Sequence, residues 1–188
     1  MEKENRRVRY TKMVLRNSLL SLLEKKPISK ITVSELCELA DINRGTFYSY
    51  YQDVFDLLAK IEDEFYLSIF TSIAQSKTIK TNADLLCRIF EVIAENGDLC
   101  RVLFGEYGDK AFLQKCCSIQ RDRIVSEWRS YTKEIDGNQL EYIYSYTVDG
   151  SVGILEQWIK NGFAEKPRDL AAFVVKLNEK GMQAFLKL

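Results

Sequence analysis

Thr32-Val33-Ser34-Glu35-Leu36-Cys37-Glu38-Leu39-Ala40-Asp41-Ile42-Asn43-Arg44-Gly45-Thr46-Phe47-Tyr48-Ser49-Tyr50-Tyr51 is the stretch that decides the fold. Thr32 followed three residues later by Glu35 has the form of a capping box. The Thr32 hydroxyl can take the Glu35 N–H, and the Glu35 carboxylate can reach back. The helix this opens should run through Ala40, with Val33, Leu36, Cys37 and Ala40 inward. Asp41-Ile42-Asn43 breaks the pattern, and Asp41 tolerates the left-handed conformation a tight turn needs. Asn43 is a good N-cap for a further helix from Arg44 to about Tyr51, with Phe47 and Tyr51, four apart, facing the core.

Two short helices joined by three residues have the geometry of a helix-turn-helix, whose second helix can enter the DNA major groove. With Phe47 and Tyr51 inward, Arg44, Gly45, Thr46 and Tyr48 lie outward. Arg can pair with guanine O6 and N7, and Thr can touch a thymine methyl or a phosphate. Gly45 puts no side chain in the way.

Working outward, Tyr10–Glu24 reads as a helix on Leu15, Leu19 and Leu22, stopped after Lys25-Lys26 by Pro27. A long amphipathic helix from Asp53 to about Gln75 should bury Phe55, Leu58, Ile61, Phe65 and Ile69. Further helices are expected over about 83–95, 99–104, 110–133, 139–160 and 168–187. Their stops are Asn96-Gly97, Gly105–Gly108, Asp136-Gly137, Asn161-Gly162 and Pro167. The expected fold is all-α. An N-terminal three-helix helix-turn-helix domain, residues 1–52, precedes a larger helical bundle, residues 53–188, with about nine helices in all.

Composition narrows the chemistry. The chain has 188 residues, 46% apolar and 29% charged, with 2 Pro and 9 Gly, which suits long helices and a buried core. No stretch approaches the ~20 apolar residues of a membrane span. The charged start, Met1 to Arg7, does not read as a signal peptide. The 5 Cys show no CxxC spacing and read as reduced cytoplasmic thiols, with Cys116-Cys117 as core. There is no His, which removes the commonest general base and every His-based metal site, a His-held metal chelate included. No catalytic arrangement is recognisable, so no enzyme and no cofactor are expected. Residues 1–52 hold ten Lys/Arg against six Asp/Glu, a net of +4, and the remainder is −4. A basic first part on an acidic body suits an end that meets a polyanion.

Thr32-Val33, Leu36-Cys37, Ala40 to Tyr48, Tyr51 and Asp56-Leu57-Leu58 together resemble the DNA-binding domain of TetR-type transcriptional regulators, over roughly residues 8–60. The resemblance implies a homodimeric repressor that binds double-stranded operator DNA. It also implies a C-terminal bundle that binds a small molecule and releases the DNA. Carried over by position, Thr32 and Ser34 would cap and contact phosphates. Asn43, Arg44, Gly45 and Thr46 would sit at or near the bases, and Tyr48 and Tyr50 would hold the backbone. A Lys common at the start of the fourth helix is Val54 here. Arg6, Arg7 and Arg9 offer a basic arm in its place, suited to a minor groove. The last two helices, with Ile154, Trp158, Phe173, Val174, Leu177 and Phe185, would form the dimer interface.

In the bundle, Tyr142, Tyr146, Gly150, Gly153 and Gln157 fall near one stripe. Two mid-helix glycines, each costing ~1 kcal/mol relative to Ala, point to close approach of a partner helix or a ligand. Candidate ligand-contacting aromatics are Phe90, Phe104, Phe112, Trp128, Tyr131 and Tyr146. Two other classes compete with the regulator: a helical interaction module that has lost DNA binding, and a bundle enzyme. The outward Arg44, Thr46 and Tyr48 argue against the first, and the absent catalytic arrangement argues against the second.

Overall fold

Side-chain caps and apolar stripes set the helices of this chain. A computed structural model describes residues 6–119, 121–131 and 136–182. Among these residues there are ten α-helices, one short 3-10 turn and no strand. The helices are α1 (Arg6–Leu23), α2 (Val33–Ala40), α3 (Arg44–Tyr48), α4 (Val54–Gln75), α5 (Asn82–Glu95), α6 (Gly97–Leu103), α7 (Lys110–Cys117), α8 (Arg121–Tyr131), α9 (Gly137–Lys160) and α10 (Pro167–Met182). The all-α expectation holds.

The described chain forms two compact units. One is built from the chain up to Tyr66 together with Val102–Gly108. The other is built from Leu67–Arg101 together with the chain from Asp109 onward. The division falls within α4.

In the first unit α1 packs on α2 and α2 on α3. Leu15, Leu19, Leu36 and Phe47 are wholly buried between them. The inward face of α4 differs from the expected one. Val54, Leu57, Ile61, Phe65 and Ile69 are buried, whereas Phe55 is exposed and Leu58 half-buried. Val54 and Leu57, three apart, continue the stripe of Ile61 and Phe65, and Phe55 lies about 100° away from Val54. The polar start of α4 is self-capped. Asp53 accepts the Asp56 N–H at 2.8 Å and Asp56 accepts the Gln52 N–H at 3.0 Å.

In the second unit α10 packs on α5 and α9, and α9 on α7 and α8. Phe90 is fully buried and stacks on Trp158 with ring centroids 5.6 Å apart. The Trp158 indole N–H donates to the Glu165 carbonyl at 3.0 Å. The α9–α10 turn uses Gly162 at φ 70 and, unusually for a non-glycine, Phe163 at φ 61. The Phe163 ring sits edge-on to Trp158, 4.9 Å away, and under the Arg101 guanidinium at 5.1 Å. A Cβ on Gly97 would come 3.0 Å from that ring, so glycine at 97 admits it.

The single helix expected over residues 110–133 is two. Ser118 ends α7, its N–H donating to the Gln114 carbonyl, and α8 restarts at Arg121. The turn carries no Gly or Pro to mark it, and the apolar spacing continues across it. Cys37, Cys87, Cys100 and Cys116 are free thiols. Burial pushes the Cys100 thiol far above its ordinary range, which suits packing rather than redox chemistry.

The start of α5 is a complete capping box. Thr81 accepts the Asp84 N–H at 3.1 Å, and Asp84 accepts the Thr81 N–H at 2.9 Å and the Lys80 N–H at 3.1 Å. These hydrogen bonds favour the ionised carboxyl and hold it below the usual carboxylate range. A carboxyl lowered on folding stabilises the fold above its unfolded pKa, and that support is lost as pH falls through the folded value. Asp84→Asn should therefore lower the melting temperature at pH 7. It should also flatten the fall in melting temperature between about pH 5 and pH 3. Thermal melts of both proteins across that range check it; parallel curves would show that the cap carries no such linkage.

Candidate nucleic-acid interface

The short helix α3 is built around its cap and one buried ring. Asn43 has extended backbone, and its side-chain oxygen accepts the Gly45 N–H at 2.7 Å. Phe47 is wholly buried and Tyr51 almost so, their rings 5.6 Å apart. The turn before it is tight because Asp41 adopts the left-handed conformation, φ 52 and ψ 43, and Ile42 donates to the Cys37 carbonyl at 3.0 Å. Both features match the reading of the sequence. The helix is shorter than expected. It ends at Tyr48, where the Ser49 hydroxyl donates to the Gly45 carbonyl at 2.9 Å.

The outward row follows from that anchoring. Asn43, Arg44, Gly45 and Tyr48 are exposed, and Thr46 is half-buried. The Arg44 guanidinium donates to the Ser34 hydroxyl, which ties the start of α3 to α2. A Cβ on Gly45 would lie 3.2 Å from the Asn43 side-chain oxygen. Glycine thus protects the cap as well as leaving the surface open.

At the start of α2, Thr32 caps the Glu35 N–H at 3.2 Å as expected. The Glu35 carboxylate, instead of reaching back to Thr32, binds the Lys26 ammonium with both oxygens at 2.7 Å. Lys26 lies just beyond α1, and a full charge outcompetes a backbone N–H for the carboxylate. Thr32 is exposed and Ser34 half-buried, and the Ser34 hydroxyl is the one that meets Arg44.

Tyr50 is half-buried. Its ring lies 5.8 Å from the Lys12 ammonium, and its carbonyl accepts from Lys60 at 3.0 Å. Lys60 also pairs with Asp56 at 2.9 Å and covers the Tyr51 ring at 4.9 Å. Reading for a cation at the first residue of α4 missed Lys60, six residues later. Val54 itself is buried, so that position belongs to the core. Arg6, Arg7 and Arg9 are not an extended arm: they form the first turns of α1. Residues 1–5 lie outside the described residues.

Residues 80–180, just over half of the chain, match the TetR family model for the transcriptional regulator C-terminal region. The chain belongs to the TetR family of transcriptional regulators. The TetR fold is also seen in the structures it resembles. A TetR transcriptional regulator from Streptococcus agalactiae 2603V is 22% identical with a TM-score of 0.68, covering 92% of this chain and 96% of that one. The dihydroxyacetone kinase operon activator DhaS is 18% identical with a TM-score of 0.61, covering 94% and 98%. By sequence, 50 residues are 34% identical to an HTH-type transcriptional regulator, YxbF, of Bacillus subtilis (strain 168). That match spans 27% of this chain and 13% of the relative.

The six candidate ligand-contacting aromatics differ in their surroundings where these are described. Phe90 and Phe112 are buried in the second unit, and Phe90 is taken up by Trp158. Phe104 belongs to the first unit, 6.1 Å from Phe65. Tyr146 is 77% exposed. The Tyr131 side chain lies outside the described part of the structure. Trp128 lines a cavity of about 320 Å³ in the second unit, together with Leu85, Ile89, Tyr144 and Val148.

Asn43 is exposed, so its cap can be tested without disturbing the core. Asn43→Ala should lower stability by about 1 kcal/mol, whereas Asn43→Asp, which caps equally well, should leave it within a few tenths. Urea unfolding of the three proteins measures this. Equal stability for Asn43→Ala would mean that Phe47 alone holds α3.

Proposed function

We propose that this regulator binds double-stranded operator DNA as a homodimer, represses transcription and leaves the DNA when a small molecule enters its bundle. The observation that carries the DNA reading is the outward row of α3. A forked cation, a bare backbone position, a hydroxyl-methyl group and a phenol follow one another on a helix whose other face is held by Phe47. Thr32, Ser34 and Asn43 supply neighbouring hydroxyl and amide groups suited to phosphate, and Tyr50 and Lys60 supply a phenol and a cation at the far end of α3. In this reading residues 1–52 are the reading head and residues 53–188 the ligand-binding and dimerising bundle. Action on operator DNA would place the protein in the cytoplasm, and no described helix is long and apolar enough to cross a membrane.

The last two helices support the dimer. Tyr142 and Tyr146 on α9 and Phe173 and Leu177 on α10 are all more than half exposed. A Cβ at Gly150 or Gly153 would meet nothing within 4 Å among the described residues. Inside one protomer those glycines gain nothing for the helix stability they forgo, so close approach from a second chain is their use. Trp158 and Val174, expected at the interface, are buried within the protomer, and Phe185 lies outside the described residues.

Selection of bound sequences from random DNA gives the operator and tests the reading. Arg44→Ala should then lose ~1–3 kcal/mol at one base pair and little elsewhere. Tyr48→Phe should weaken all sequences alike, because a phosphate contact carries no base information. Unchanged relative preference in Arg44→Ala would rule out Arg44 as a base reader. In transcription assays on that operator the protein should lower the transcript; a rise would replace repression with activation.

The interface is tested separately. Wild type should sediment at twice the chain mass at micromolar concentration. Gly150→Arg, at a position where a Cβ meets nothing within 4 Å among the described residues, should sediment as a monomer with an unchanged helical spectrum. A dimeric Gly150→Arg would move the interface elsewhere.

A further inference from the structure

The bundle cavity is lopsided in its chemistry. Its apolar wall comes from Leu85, Ile89, Trp128 and Val148, and its charged lining residues are Glu127 and Glu179. No Lys or Arg is among the described residues that line it. Glu127 is half-buried, on a helix face next to the buried Trp128.

Several hydrogen-bond donors of the polar lining are engaged within the protein. The Thr147 hydroxyl donates to the Ile143 carbonyl and the Ser151 hydroxyl to the Thr147 carbonyl, both at 2.7 Å. Asn82 gives an amide N–H to Glu127 at 3.3 Å, and Asn178 gives one to the Ser151 oxygen at 3.4 Å. Acceptor capacity remains as well, and the Tyr144 hydroxyl in the lining can both accept and donate. The Asn82 side-chain oxygen is buried and has no hydrogen-bond partner, and a carboxylate offers about four lone-pair positions. An unpaired buried acceptor is costly, and a ligand that brings a donor to it recovers that cost.

From this we infer that the cavity takes an apolar amine in its protonated form. The ammonium would face Glu127, Glu179 and the Asn82 oxygen, and the hydrocarbon body would lie against Trp128 and the aliphatic wall. An anionic amphiphile is disfavoured, because its carboxylate would sit beside the Glu127 and Glu179 carboxylates. A quaternary ammonium satisfies the charge but brings no N–H for Asn82, so primary and secondary amines are favoured over it. The aromatic face of Trp128 adds to the attraction for a cation.

This inference rests on the ligand-responsive reading above and names the ligand class of that same bundle. Calorimetric titration of the full-length protein at pH 7 tests it with three probes of one shape: 2-(1-naphthyl)ethylamine, 2-(1-naphthyl)ethanol and 3-(1-naphthyl)propanoate. The amine should bind at least roughly tenfold more tightly than the alcohol, and the propanoate weakest. In Glu127→Gln/Glu179→Gln the amine should lose roughly tenfold or more while the alcohol changes little. If the double variant loses the alcohol too, the exposed Glu179→Gln alone carries the comparison, and its amine-to-alcohol ratio must fall. Propanoate binding as tight as the amine, an amine indifferent to the carboxylates, or no binding of any probe at ~1 mM overturns the inference. Anisotropy of labelled operator separates it from the broader reading. An amine that binds but leaves operator affinity unchanged upholds the ligand class and removes ligand control. Operator release by the propanoate upholds ligand control and removes the amine.

Discussion

Phe47 is the contact on which the outward chemistry of this chain depends. A helix of five residues has little more than one turn, and nucleating a turn in isolation is unfavourable. Two local features offset that: the Asn43 cap at one end and a wholly buried phenyl ring in the middle. The ring fixes the rotation of α3 about its own axis. Once Phe47 is inward, Gly45 faces the opposite side and Tyr48 lies about 100° round the helix, while the long Arg44 side chain reaches the surface from the first turn. The left-handed Asp41 sets the angle at which the chain arrives, and the Arg44–Ser34 hydrogen bond braces the start of α3 on α2. Polar residues on the surface are therefore positioned by an apolar residue that never meets a ligand.

Where a single residue type determines a local structure, the sequence was readable. Thr32, Asp41 and Asn43 each do in the structure what their chemistry allows, and Phe47 and Tyr51 are buried as their spacing requires. Where two partners compete for one group, the sequence could not say which wins. Glu35 had a backbone N–H three residues away and a lysine nine residues away, and the lysine holds it. The break at Ser118 was hidden because an ordinary residue can end a helix when the flanking segments pack differently. Phe55 shows the opposite error: a large apolar residue near the right phase was read as core, although Val54 and Leu57 fill that face.

The cavity escaped the sequence for a related reason. A search for ligand contacts among large aromatics finds the residues best at filling space, and Phe90 and Phe112 fill it. A cavity is lined where filling fails, here by Asn82, Thr147, Ser151 and Asn178, which scan as ordinary helix-surface residues. Their signal was the period: Tyr144, Thr147, Val148 and Ser151 share one stripe of α9, more polar than a core stripe needs. Trp128, the one aromatic common to both views, sits in a small cluster with Val125, Leu140, Tyr144 and Met182.

Helix α9 thus carries a cavity-lining stripe and a separate exposed stripe of tyrosines and glycines. Tyr144 and Val148 line the cavity, while Tyr142 and Tyr146, two residues earlier in each case, are exposed with Gly150 and Gly153 beyond them. Two residues are about 200° of helix, so the two stripes lie on opposite sides. An α-helix transmits displacement as a body, because its backbone hydrogen bonds run along its length. A molecule that pushes on the Tyr144–Ser151 face must shift the Tyr142–Gly153 face by a similar amount. If that outer face packs on a second copy, with glycines that allow close approach, a shift of an ångström changes the fit of the dimer. The effect is limited by the difference in ligand affinity between the two arrangements, typically ~1–3 kcal/mol, and it acts equally in reverse. Two residues on either side of one helix would then couple ligand to assembly without any longer path through the bundle.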